Sequence, residues 1–106
     1  MKVGSGVVLT MVDSGAIHNF MSEDTVRRIG LNFVLVQARM KTVNSPPNYV
    51  IGVAEKVDVT LGGWTGKVDF IVVWIDDYEA VLGVEFMKEF DVMFVPHMRK
   101  LYIYDK

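Results

Sequence analysis

The stretch that most restricts what this chain can become is Val7-Val8-Leu9-Thr10-Met11-Val12-Asp13-Ser14-Gly15. An apolar, β-favouring run drives straight into a carboxylate followed by two turn-forming residues. A strand is expected over residues 7–12, with a stop at Asp13. The run is apolar at both parities, which predicts a strand buried on both faces. Asp13 then stands at the inner end of a core strand, where an unpaired ionised carboxylate is costly. Such an acid needs amide donors, a shared proton or a partner charge. Two readings of these residues stand side by side. In one, Asp13 opens a turn and its side chain accepts from backbone amides two residues on. In the other, it is a catalytic carboxylate held on a tight loop. A third, with Ser14 as nucleophile and His18 as base, has no oxyanion motif or nucleophile elbow to accompany it.

Downstream of the loop, Ser22 begins a helix signal. Ser22 can cap, Glu23 and Asp24 fall in the first turn, Arg27 and Arg28 in the last, and Gly30 is the stop. Acids at the start and bases at the end both suit the helix dipole. Met21, Val26 and Ile29 supply an apolar side, and so short a helix must dock on a sheet to persist. Residues 31–43 return to a β pattern. Asn44-Ser45-Pro46-Pro47-Asn48 is the strongest loop signal in the chain, and Tyr49-Val50-Ile51 resumes a strand. Gly52 marks a bulge or a close approach. Residues 56–61 alternate as a half-exposed strand, Gly62-Gly63 turns the chain, and residues 64–66 complete the connection. Residues 67–70 alternate, residues 71–75 are apolar on both faces, and Asp76-Asp77 ends that strand. Adjacent acids at a strand end point to opposite faces, so this pair cannot form a catalytic dyad in one chain. Residues 80–83 read as a short buried strand or a turn, and residues 84–90 as one or two turns of helix. Residues 91–95 and 99–104 make a last β pair around Pro96-His97-Met98. Many short strands punctuated by Gly and Pro predict a small closed β structure with two short helices.

Met11-Val12-Asp13-Ser14-Gly15-Ala16-Ile17-His18-Asn19-Phe20-Met21-Ser22 resembles the active-site segment of retropepsin-like aspartic proteases, in particular those of gypsy-type retrotransposon polyproteins. Far downstream, Ala80-Val81-Leu82-Gly83-Val84-Glu85-Phe86-Met87 resembles the same family's Leu-Gly segment, which packs beside the active-site loop and leads into a short helix. The resemblance covers nearly the whole chain. It implies an all-β fold, a small closed β-barrel of the retropepsin type with two short helices, and a single domain over residues 1–106. It implies an aspartic endopeptidase in which Asp13, Ser14 and Gly15 form the catalytic loop, Ser14 bonding across a dimer and Gly15 letting backbone approach the substrate. Ala16, Leu82 and Gly83 would join the substrate-binding residues, together with Val43, Asn44, Ser45 and Pro46 of the flap that closes over bound peptide. Here the chain departs from the family pattern. The flap tip is usually glycine-rich, whereas Pro46 and Pro47 fix φ and remove amide donors. A related resemblance, to the protease domain of ubiquitin receptors of the DNA-damage-inducible type, is not separated from the first by these residues.

Peptide hydrolysis needs an activated water and a protonated leaving amine. Two carboxylates sharing one proton supply both. One Asp-Ser-Gly per chain therefore calls for a second copy across a two-fold axis, a homodimer acting on a peptide or polyprotein. Size agrees: a domain of 106 residues buries only roughly 60–65% of its unfolded surface, and a second copy adds core. The 51% apolar fraction is a little high for such a length, as if some surface were meant for a partner. The alternative of a different class is a dimerisation or peptide-binding module on the same fold, with weak or absent catalysis. A weaker one is an unrelated small β-barrel binding domain.

The net charge of −2, with no basic cluster longer than Arg27-Arg28 or Arg99-Lys100, argues against nucleic acid as a ligand. With no cysteine, there is no disulfide or thiolate metal site, which fits a reducing, cytoplasmic setting. His18 and His97 lack neighbours at metal-ligand spacing, so neither metal nor cofactor is expected. No apolar run reaches membrane-spanning length, and Asp13 interrupts the N-terminal apolar stretch too early for a secretory leader. Met1-Lys2 reads as a start placed on a domain cut from a longer chain.

Overall fold

The computed structural model describes residues 1–36, 50–75, 78–90, 92–95 and 100–103. In chain order the elements are β1 (Lys2–Val3), β2 (Gly6–Val7), β3 (Thr10–Val12), β4 (Phe20–Ser22), α1 (Glu23–Ile29), β5 (Val34–Leu35), β6 (Val50–Leu61), β7 (Trp64–Val73), β8 (Ala80–Leu82), α2 (Val84–Phe90), β9 (Val92–Val95) and β10 (Lys100–Ile103). One mixed sheet runs β2-β1-β6-β7-β4-β8-β3, with β5 paired to β6. It curls into the half-barrel of the retropepsin-like fold, and β9 and β10 form a separate antiparallel pair. The structure is thus mainly β with two short helices, as expected. Among the described residues, no helix is long and apolar enough to cross a membrane.

α1 follows its sequence signals closely. Ser22 caps it, its Oγ accepting from the Thr25 N–H at 3.2 Å, and Gly30 ends it in the left-handed conformation at φ 72°. The Gly30 and Leu31 amides donate back to the Arg27 and Val26 carbonyls, which satisfies the last turn. Val26 and Met21 are fully buried, so the helix is held by the sheet beneath it.

The first run differs from expectation. Residues 7–12 are not one doubly buried strand but two short ones meeting at a corner. Val8 is buried in the core, whereas Val7 and Leu9 are 66% and 62% exposed. The chain leaves its β1 partner at Val7 and takes up β8 at Thr10. Bonds from remote residues fix the corner. The Leu9 carbonyl accepts from the Glu79 and Ala80 amides at 3.2 and 3.1 Å, and the Leu9 N–H donates to Glu79 Oε1 at 2.8 Å. Arg28 on α1 donates to Glu79 Oε2 and to the Val7 carbonyl.

β6 and β7 form the long hairpin, turned by Gly62-Gly63 alone. Leu61 already pairs with Trp64, so residues 64–66 are strand rather than connection. The two strands slip register twice, once between Val50 and Gly52 and once between Ala54 and Val57. At the second bulge Lys56 takes φ 51°, and its N–H donates to Asp69 Oδ1 at 2.7 Å. Gly52 is both a bulge neighbour and a close approach, since a Cβ there would lie 2.3 Å from the Val34 carbonyl oxygen. The strand expected through residue 75 ends at Val73, and Trp74 is 63% exposed. The flap loop, Asp76-Asp77 and His97 lie outside the described residues.

One parallel pairing decides where the Asp-Ser-Gly loop emerges. β3 runs parallel to β8, with Thr10, Met11 and Val12 opposite Ala80, Val81 and Leu82. Both strands therefore end at the same edge, and Asp13 leaves one as Gly83 leaves the other. α2 then docks through Phe86, which is fully buried and meets Trp64 edge-on at 5.6 Å.

Candidate active site

Asp13 is half-buried at the mouth of β3, less deeply than the sequence suggested. The loop beyond it closes as a tight turn. Asp13 Oδ1 accepts from the Gly15 N–H at 2.8 Å, and the Asp13 carbonyl accepts from the Ala16 N–H at 3.1 Å. The turn-opening role read from the sequence is therefore present, and it does not compete with a chemical one. One carboxylate oxygen is anchored by an amide while the other makes no bond among the described residues. No Lys, Arg or His pairs with Asp13 among the described ion pairs.

Gly15 sits against this carboxylate: an added Cβ would lie 3.1 Å from Asp13 Oδ1, a contact few side chains tolerate. Ser14 is exposed at the tip, free to meet another molecule. It makes no hydrogen bond to His18 among the described residues. The His18 Nδ1 is instead 3.3 Å from Glu85 Oε2, which leaves the nucleophile–base pairing without geometric support.

The Leu-Gly segment lies under the loop, as the resemblance implied. The Asp13 N–H donates to the Leu82 carbonyl at 3.0 Å. The Val84 and Glu85 amides donate to the Ala16 and Ile17 carbonyls at 2.8 and 3.0 Å. Leu82 and Gly83 were expected among the substrate-binding residues, but both are buried. The Leu82 side chain has no exposed surface and packs into the core, so these residues act on the loop from beneath. Ala16 is half-buried and joins the loop to them. Val43, Asn44, Ser45 and Pro46 fall outside the described residues.

Sequence reasoning missed an apolar cleft on the strands next to β3. Phe20, Val73, Ile75 and Val81 line a space of about 110 Å³. Val81 is the partner of Met11, two residues before Asp13, and Phe20 is the partner of Val81. Period-two patterning could not single these residues out: Val73, Ile75 and Val81 belong to runs apolar at both parities, and Phe20 to an apolar pair too short to show a period. Asn19 was also missed, since it stood out only as one position of the Met11 to Ser22 segment and its partners lie far along the chain. Among the described residues no three His, Cys, Asp or Glu side chains gather as a metal site requires.

A mixed half-barrel that brings an Asp-Ser-Gly loop and a Leu-Gly turn to one edge defines the retropepsin-like class. The family described as Retroviral aspartyl protease matches residues 2–106, and the chain belongs to it. Among solved structures, the chain is similar to the retroviral protease-like domain of Ddi1 from Leishmania major. The TM-score is 0.79 at 23% identity, over 96% of this chain and 82% of that one. At that identity the likeness concerns the fold. No curated protein matched the chain by sequence.

Proposed function

We propose that this protein is an aspartic endopeptidase that works as a two-fold homodimer, each copy supplying one Asp13. The observation that carries the reading is the state of that carboxylate. It is anchored on one oxygen by the Gly15 N–H, has no charged partner among the described residues, and follows two residues after Met11, whose strand partner Val81 lines an apolar cleft. Two such groups brought to about 3 Å cannot both ionise, so the pair holds one proton. The ionised member takes a proton from water as it attacks the peptide carbonyl, and the protonated member donates to the leaving amine. In the dimer Ser14, which is exposed on the loop, bonds across the two-fold axis, and the cleft seats an apolar side chain of the substrate. Family membership and the Asp-Ser-Gly geometry support the chemistry. The resemblance to gypsy-type segments supports a retroelement polyprotein as substrate. A dimerisation or peptide-binding module on this fold is the competing reading.

The test is sedimentation equilibrium over a wide concentration range, run beside digestion of a peptide library read by mass spectrometry. A reversible dimer is expected, with cleavage rising as the square of protein concentration below the dissociation constant. A strict monomer up to millimolar concentration sinks the reading. A dimer without cleavage favours the binding module.

A further inference from the structure

Asn19 has its side chain committed entirely to other segments. It is 2% exposed. The other buried polar residues among those described, Ser22 and Thr25, satisfy each other in the cap of α1. Asn19 Oδ1 accepts from the Gly83 N–H at 2.9 Å, and Asn19 Nδ2 donates to the Asp69 carbonyl at 3.2 Å. Only the oxygen can face an N–H and only the amino group can face a carbonyl, so the carboxamide has a single orientation. The Asn19 carbonyl accepts in turn from the Ile71 N–H at 2.9 Å.

The Gly83 N–H and the Leu82 carbonyl are the two ends of one peptide group. Asn19 holds one end, and the other receives the Asp13 N–H at 3.0 Å. We propose that Asn19 is a positioning residue for Asp13, acting through the Leu82–Gly83 peptide group. Asp69 anchors the far side of the device, because its carboxylate also holds the Lys56 amide in the β6 bulge. The long hairpin is thereby tied through one carboxamide to the loop that carries the carboxylate. A hydrogen bond accepted from the Gly83 N–H polarises the peptide and strengthens the Leu82 oxygen as an acceptor. Without Asn19 the peptide plane is free to tilt, and the Asp13 backbone tilts with it.

The inference rests on Asp13 being the working carboxylate, so its test includes a readout that needs no activity. In Asn19→Leu, amide hydrogen exchange at Asp13 is expected to quicken roughly tenfold or more relative to wild type, because a bond that held the loop is loosened. The amides of Val59 and Val68, in the β6–β7 hairpin, should change much less. Asn19→Asp supplies the second arm. Its protonated carboxyl offers the same acceptor and donor as the amide, whereas its ionised form sets a buried charge against the Asp69 carbonyl oxygen, which expels the side chain and breaks the bond from the Gly83 N–H as well. Asp13 protection, taken as the ratio of variant to wild type at each pH, should therefore stay near one at low pH and fall as the introduced carboxyl ionises. Where wild type cleaves peptide, kcat should follow the same curve, dropping roughly ten- to a hundredfold with little change in KM, as expected for a misplaced catalytic group. Equal quickening at Asp13, Val59 and Val68 in Asn19→Leu, or an Asn19→Asp exchange profile parallel to wild type, overturns the proposal. If wild type cleaves nothing, the endopeptidase reading falls while the exchange measurements still decide the role of Asn19.

Discussion

Exchanging Asp13 for asparagine is expected to abolish peptide cleavage while leaving the fold and the dimer in place. The amide keeps an oxygen to accept the Gly15 N–H, now bonded at 2.8 Å, and the backbone bond from the Asp13 N–H to Leu82 is untouched. What is lost is the exchangeable proton of the pair, and with it both the base and the acid of the reaction. A fall in kcat of about a thousandfold or more is expected. Mixing experiments sharpen the test. In an equimolar, fully exchanged mixture of wild type and Asp13→Asn, about one quarter of the dimers carry two carboxylates. Activity per wild-type chain should fall to about half, whereas a site complete within one chain would keep its full rate. Comparable turnover by Asp13→Asn and wild type, with both sedimenting as dimers, would remove Asp13 from the chemistry.

Gly83→Ala is expected to be the most damaging single methyl group that can be added near the site. Its Cβ would stand 2.4 Å from the His18 carbonyl oxygen and 2.6 Å from that of Ala16. Both atoms are backbone, and both belong to the loop that follows Asp13. The Val84 and Glu85 amides bond to the same loop, so the two segments cannot part without losing those bonds as well. Overpacking of this kind costs about 3 kcal/mol or more, a large fraction of a small domain's stability. Gly63→Ala is the control: nothing lies within 4 Å of its Cβ, and a change within about 0.5 kcal/mol is expected. Urea midpoints of the two variants measure the contrast. A Gly83→Ala midpoint close to that of Gly63→Ala would mean that the loop yields easily and that its tight packing does not hold Asp13.

How far these features could be read from the sequence depended on how local their causes are. α1 was legible to the residue, because its cap, charges and stop all lie within nine consecutive positions, Ser22 to Gly30. The Asp-Ser-Gly loop and the Leu-Gly segment were legible through their likeness to a family, and the structure places one upon the other. The corner at Val8 and Leu9 was not legible. Its apolar run looks continuous, and the break is imposed by Glu79 and Arg28 from elsewhere in the chain. The Lys56 bulge was hidden for a similar reason, since a lysine in a polar-apolar alternation gives no sign of a positive φ. Asn19 was the clearest case. Its meaning comes from partners 50 and 64 residues away, which no local pattern contains.

The parallel pairing of β3 with β8 bears on the order in which the molecule assembles. The β6–β7 hairpin closes through a two-residue turn, and such contacts are cheap in chain entropy. The Asp13 loop is different: the strand and turn that fix it belong to the last third of the chain. On a ribosome, residues 1–36 would emerge with no β8 to receive them, and the carboxylate would stay unset until residues 79–85 had followed. A nascent or truncated chain would thus carry the Asp-Ser-Gly sequence without its geometry. Pulse-labelled exchange during refolding should show the hairpin amides protected before that of Asp13, so that the acid is armed only when most of the domain already stands.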